Sequence, residues 1–287
     1  MATILFDGVA YGMTLFVLSV GLGVTLGLMN FVNLAHGAFA MLGGYVAALA
    51  MARAGAPFLL ALPLAFAASA LVGAALERTL YRRLYGAHPL DQVLFTIGLV
   101  FMATPTANWF LGDQPYQVRP PAWLETRVHL GALEFGAYRL FLIVVCGAIA
   151  LGLQLFLVRT RFGARLRAAV DDPRTASAMG IDVGRLFAAT FAFGSGLAGL
   201  GGALAADLVG GVDSSFPLRF MTTFLIVVAV GGQNGVLGAF FGAILLGLLD
   251  VAGKYYVPSL GAFVIYAAMV ATLVARPQGL FAKADRR

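Results

Sequence analysis

Apolar residues in this chain come in long blocks, separated by shorter stretches that collect most of the charge. Nine blocks reach or approach the roughly 20 residues that a helix rising 1.5 Å per residue needs to cross about 30 Å of hydrocarbon. They run approximately over 8–28, 33–52, 57–77, 93–111, 139–158, 186–207, 216–233, 236–252 and 259–275. Polar and apolar residues do not alternate at period two, which excludes a barrel. Only helices then satisfy backbone amides and carbonyls in lipid. The pattern predicts an all-α polytopic membrane protein with about eight to nine transmembrane helices. The second, seventh and eighth blocks are short, glycine-rich or closely spaced, and one broken or re-entrant segment is expected among them. Residues 1–287 read as a single transmembrane domain.

Composition agrees with the pattern and removes other classes. Hydrophobic residues make up 61% of the chain and charged residues 11%, with a mean hydropathy of +0.91. Nineteen basic and 13 acidic side chains cannot clothe a soluble fold of 287 residues. Disorder and a coiled coil are excluded on the same grounds. The net charge of +6 and pI near 9.8 do not indicate nucleic acid, because the arginines lie between apolar blocks, where they set topology.

Three stretches hold most of the basic charge. They are 77–92 with Arg78, Arg82 and Arg83, 159–185 with Arg159, Arg161, Arg165, Arg167, Arg174 and Arg185, and the tail with Arg276, Lys283, Arg286 and Arg287. Short basic loops stay in the cytoplasm, so these three are assigned there. Loop 112–138 balances Arg119 and Arg127 against Asp113, Glu125 and Glu134, and is assigned outside. Nine crossings place the N-terminus outside, in keeping with the lack of lysine and arginine in residues 1–52. No basic region precedes the first block, so a cleavable signal peptide is not expected. The single cysteine, Cys146, can form neither an intrachain disulfide nor a multi-cysteine metal site.

The chemistry missing from the blocks narrows function further. Asp7, Arg53, Asp207, Asp213, Arg219, Asp250 and Lys254 all fall near block ends, which disfavours a proton- or sodium-coupled pump. No histidine follows Ser195, the one serine framed by glycines, so an intramembrane serine protease lacks its base. Lys254 and Lys283 are the only lysines and neither is mid-block, which removes a retinal Schiff base. There is no GxxxxGK[ST] phosphate loop, and Gly231-Gly232-Gln233-Asn234-Gly235 reads as a turn between helices. No cofactor is expected in this chain, and any ATP hydrolysis has to come from another polypeptide.

What the blocks contain is glycine, 36 residues of it. Pairs such as Gly23/Gly27, Ala198/Gly202 and Gly238/Gly242 have the small-xxx-small spacing that lets helix backbones approach. Smooth glycine surfaces also suit helices that tilt or slide. Asn30, Asn33 and His36 cluster just before Gly37 at the first junction, and Gln233 and Asn234 mark a second polar turn. These six are the candidate substrate-path residues, although a histidine bonded to a backbone carbonyl is the simpler reading of His36 alone. In 159–185, Asp172 is an N-cap, Pro173 suits the first helical position and Gly180 closes a left-handed stop. That defines a helix of about two turns, with Ala176 and Met179 as its apolar face. Its functional reading is a docking helix, against a plain solvated loop.

Taken together, these pieces resemble the shorter permease subunit of bacterial ABC importers for branched-chain amino acids. The resemblance spans nearly the whole chain. It rests on Asn33-Leu34-Ala35-His36-Gly37 with Met41-Leu42-Gly43-Gly44-Tyr45, on Arg165 through Pro173 with Ala176-x3-Gly180-Ile181, on Gly231 through Gly238, and on Arg276-Pro277-Gln278-Gly279-Leu280-Phe281. Two features depart from it. Ala38 stands where the family often carries an acid, and the cytoplasmic loop keeps only the Ala-x3-Gly core of the general permease signature. The resemblance implies an inner-membrane location and three kinds of partner besides the lipid bilayer. These are a second, longer permease, two cytoplasmic ABC ATPases that hold ATP and magnesium, and a periplasmic substrate-binding protein. It makes 159–185 the coupling loop, with Asp172, Pro173, Ala176, Met179 and Gly180 as its ATPase-coupling residues. A permease of the same architecture for urea, short amides or aromatic acids, and a stand-alone secondary carrier, are the competing readings.

Overall fold

The computed structural model describes residues 1–29, 31–130, 133–232 and 235–281. Each apolar block has become a helix. They are α1 (Ala2–Met29), α2 (His36–Ala54), α3 (Phe58–Thr79), α4 (Pro89–Leu111) and α5 (Ala137–Arg159), then α8 (Val183–Ala205), α9 (Phe216–Gly231), α10 (Val236–Tyr256) and α11 (Gly261–Ala275). Their ends follow local chemistry. Gly55 takes a left-handed φ of 63° and stops α2, while Pro89 opens α4 behind His88, whose ring accepts the Leu90 N–H.

The all-α polytopic architecture expected from the sequence, with about eight to nine apolar helices, is the one observed. Among the described residues seven helices are long and apolar enough to cross a membrane, and α9 and α11 are shorter apolar helices. At 16 and 15 residues they rise about 24 and 22 Å, less than the hydrocarbon core. The second and eighth blocks, expected to be insecure, form helices of 19 and 21 residues, whereas the ninth was not expected to fall short. Loop 112–138 is not wholly irregular. Arg127–Leu130 and Leu133–Gly136 pair as an antiparallel hairpin, β1 and β2. The stretch 159–185 contains two helices rather than one, α6 (Arg161–Asp171) and α7 (Pro173–Ala178).

Glycine sets how closely the helices pack. A Cβ on Gly202 in α8 would stand 1.9 Å from the Ala40 carbonyl oxygen, and one on Gly43 would stand 2.3 Å from Gly199 Cα. The backbones of α2 and α8 therefore cross in direct contact. Gly12 of α1 lies against Gly247, Ala243 and Ile244 of α10, and Gly231 of α9 against Gly238. Gly23 has more room, its nearest neighbour being the Ala239 methyl at 3.6 Å. Around these contacts gathers one apolar core that includes Phe16, Phe31, Tyr81, Phe191, Phe216 and Phe224.

Most helix ends sort into two groups, while the starts of α2 and α9 meet between them, where Gly37 faces Pro217 and His36 reaches the Leu18 carbonyl in the middle of α1. At one end of the molecule the Asp7 carboxylate pairs with Arg139 at the start of α5, and Phe6 packs on Phe135. There too the Tyr138 hydroxyl donates to the Leu204 carbonyl at 2.7 Å. At the opposite end stand the 3-10 turn Tyr81–Leu84 that joins α3 to α4, then α6 and α7, and the start of α8. The chain alternates between these two ends along its nine apolar helices.

Candidate translocation cleft and coupling surface

The junction between α1 and α2 is tied to three elements by buried polar side chains. The chain leaves α1, where Phe31 N still donates to the Thr25 carbonyl at 3.3 Å, and turns through residues 32–35, whose backbone amides lie beyond the helical ladder. Polar side chains of α4 supply them: Gln92 Oε1 accepts from Val32 N at 3.1 Å and Thr96 Oγ1 accepts from Leu34 N at 3.2 Å. Asn33 Oδ1 accepts from the Tyr81 hydroxyl at 3.2 Å. His36 Nε2 lies 2.8 Å from the Leu18 carbonyl, and its ring meets Phe224 edge-on. Gly37 faces Pro217, whose Cα would be 2.9 Å from an added Cβ.

Asn33, His36 and Gly37 are thus brought together, each turned toward a different element. Asn30, Gln233 and Asn234 lie outside the described residues. Gln92, Thr96 and Tyr81 complete the junction and were missed in the sequence. Their signal was two polar residues at the start of a helix that otherwise reads as apolar, one turn apart and therefore on one face.

Next to the junction, α2, α3 and α4 enclose a cleft of about 460 Å³. Ala35, Ala38, Met41 and Tyr45 form one wall and Leu99, Ala103 and Ala107 the other. The Tyr45 hydroxyl is buried without a hydrogen-bond partner. Above it the Tyr45 ring packs edge-on against Tyr116. Tyr116 exchanges two backbone hydrogen bonds of 2.9 Å with Val212, and Gln117 donates to the Gly210 carbonyl at 2.8 Å. The loops after α4 and α8 are therefore clasped together over that end of the cleft.

At the arginine-rich end, α6 was hidden in the sequence by its four charges. Thr160 caps it by accepting from Gly163 N, and Leu166 and Ala169 turn inward against Ala176 and Leu186. The Asp172 carboxylate accepts from Arg174 N at 3.0 Å and Thr175 N at 3.1 Å. Hydrogen bonds from the Thr175 hydroxyl, then from the Thr175 and Arg174 amides, hold this exposed carboxyl below the ordinary carboxylate range. Pro173 opens α7, and Gly180 with φ of 81° ends it, donating its N–H to Ser177 O at 3.0 Å.

One expectation fails here. Ala176 and Met179 do not share a face: Ala176 is 3% exposed and Met179 79% exposed. Met179 is the C-cap of α7, its N–H still donating to Thr175 O at 3.0 Å, and its side chain stands in the open. Beside it, Phe162, Arg165, Ile181 and Arg185 line a depression of about 490 Å³.

Residues 4–273 match the family model described as branched-chain amino acid transport system / permease component. The chain belongs to this family. Relatives include the high-affinity branched-chain amino acid transport system permease protein BraD of Pseudomonas aeruginosa, 26% identical over 98% of this chain and 95% of that protein. The LivH permease of Escherichia coli is 25% identical over 98% and 95%. The probable LivH of Methanocaldococcus jannaschii is 27% identical over 96% and 91%. No solved structure matches the chain.

In this permease, Ala38 presents its methyl group to the cleft. The terminal Arg276-to-Phe281 motif folds back on the α9–α10 turn. Leu280 N donates to Val230 O at 2.9 Å, and Gly279, at φ of 90°, stacks on Gly232. Two motifs distant in sequence are one structural feature.

Proposed function

We propose that this permease is one half of the membrane channel of an ATP-driven importer for leucine, isoleucine and valine. Its family and the names of its relatives support the substrate class. A second, related permease completes the channel, a periplasmic protein delivers the solute, and two cytoplasmic ATPases bind ATP and magnesium. The observation that carries this reading is the capped, solvent-exposed α7, on the end of the molecule that collects the arginines of 77–92 and 159–185. Those stretches face the cytoplasm, 112–138 faces the periplasm, and the N-terminus is periplasmic in a bacterial inner membrane.

Residues 159–185 then form the coupling loop, in which Asp172, Pro173 and Gly180 shape α7, Ala176 anchors it and Met179 touches the ATPase. Asn33, His36 and Gly37 act in transport as a rigid pivot beside the apolar cleft, which admits an aliphatic side chain. Asn30, Gln233 and Asn234 keep their place as path residues at the two polar turns. ATP-driven movement of α7 shifts the helices between two states that differ in which end of the path is open.

The test is reconstitution of all subunits in liposomes with labelled leucine. Uptake that needs ATP, the binding protein and both ATPases is expected. Solute accumulation by this chain alone under an ion gradient overturns the reading, and uptake of urea or short amides in place of leucine corrects the substrate.

A further inference from the structure

A second pocket lies between the end of α3 and the start of α8, at the arginine-rich end and apart from the cleft. It encloses about 310 Å³ and is lined by Glu77, Arg78, Arg82 and Arg185, with a wall of small residues that includes Ala188 and Ala192. Glu77 is fully buried. Its Oε1 accepts from the Tyr85 hydroxyl at 2.8 Å, while Oε2 has no hydrogen-bond partner. Arg185 pairs with Asp182, and Arg82 is folded over Gly184, its Nη2 2.7 Å from where a Cβ would sit. Glu77 stands in the last turn of α3, where the helix dipole disfavours a negative charge. Neither the dipole nor an ion pair among the described residues accounts for a carboxylate there.

The pocket thus offers an acceptor in need of a donor on its inner wall and guanidinium donors at its rim. A plain anion meets the charge of Glu77, and a plain cation meets three arginines. A molecule with an ammonium group and an anionic group a few atoms apart satisfies both, and the alanine wall receives its aliphatic carbons. We propose that this pocket is a binding site for a zwitterion, with the ammonium on Glu77 Oε2 and the anionic oxygens on Arg78, Arg82 and Arg185. Two sources carry that chemistry, a free aliphatic α-amino acid and a phosphatidylethanolamine headgroup. The assignment rests on the pocket alone and does not depend on the transport reading.

The experiment uses the full chain in nanodiscs and two arms. Phosphatidylcholine nanodiscs are titrated with labelled L-leucine, and nanodiscs of mixed phosphatidylethanolamine and phosphatidylcholine are examined by native mass spectrometry for retained lipid. At least one arm is expected to show binding, weakened tenfold or more by Glu77→Gln and by Arg82→Ala. Leucine methyl ester and 4-methylpentanoate, each with a single charge, are expected to compete poorly. Retention of leucine identifies a free amino acid, and retention of phosphatidylethanolamine a lipid. No binding in either arm, or binding unchanged in the variants, overturns the proposal. If Glu77→Gln does not yield folded protein, Arg82→Ala and Arg185→Ser, which alter exposed side chains, decide it by the same readout.

Discussion

At the scale of single residues, the same amino acid has opposite consequences according to what faces it. Gly202 touches the Ala40 carbonyl so closely that a methyl group has no room, and the obstacle is backbone. Gly202→Ala is therefore expected to push α8 off α2 and to lose most of the folded protein in detergent. Gly98, on α4, has nothing within 4 Å of its would-be Cβ. Gly98→Ala is expected to keep its fold and to gain up to about 1 kcal/mol of helix propensity, read as a rise in Tm.

The spacing of small residues announced this kind of contact, yet it could not separate Gly202 from the loosely packed Gly23, because both spacings look alike in sequence. His36 shows a related limit. Its pairing with a backbone carbonyl could be anticipated as the simpler reading, but the carbonyl belongs to Leu18, half a helix back on α1. Replacing His36 with Phe removes one buried hydrogen bond while the Leu18 carbonyl keeps its place in the α1 ladder, a loss of about 0.5 to 1.5 kcal/mol. His36→Gln, which keeps a donor, is expected to recover part of it in the same melt.

At the scale of elements, α7 separates packing from docking. Ala176 is sealed against Leu166 and Leu186, so Ala176→Asp buries a carboxylate and is expected to damage the fold itself. Met179 stands in the open, so Met179→Asp is expected to leave Tm unchanged while weakening ATPase co-purification several-fold. Retention of the ATPases by Met179→Asp and Gly180→Pro together counts against the coupling role of α7. Proline fixes φ near −65° where Gly180 needs 81°.

The cap carries a pH dependence with a definite sign. Asp172 is held below its ordinary value of 3.8, so its contribution is complete above that value and fades as the pH falls through the lowered one. Hydrogen exchange at Arg174 and Thr175, corrected for intrinsic rate, is expected to stay protected down to about pH 4 and to lose protection below it. In Asp172→Asn that dependence disappears.

The caps of α7 were legible because Asp, Pro and Gly act locally. α6 was not, since its arginines satisfy the rule for cytoplasmic loops and its apolar residues find their partner only when α8 folds against them. The shortness of α11 was hidden for a different reason: an apolar block shows where a helix can form, while the turn at 257–260 holds its start back to Gly261, which packs closely on Lys254 of α10.

At the scale of the whole molecule, alternation of the helices between two ends makes the placement of one loop decide the placement of every other. Nine apolar helices starting from Asp7 and Arg139 at one end finish with Arg276 at the other. Arginines in 77–92 and 159–185 share that second end, which the proposed orientation, following the positive-inside rule, assigns to the cytoplasm. Cys146 is buried, so the native chain offers little background to a membrane-impermeant maleimide and single cysteines can report each face. Thr126 lies exposed beside β1 and Ser177 exposed on α7. In intact spheroplasts the reagent is expected to modify Thr126→Cys and spare Ser177→Cys, and in inside-out vesicles the preference is expected to invert. Labelling of Ser177→Cys from outside reverses the whole molecule and leaves α7 unable to meet a cytoplasmic ATPase. Labelling of both from the same side requires an even number of crossings between them, and since α5 is the one membrane-length helix described between Thr126 and Ser177, it would mean that α5 does not span the membrane.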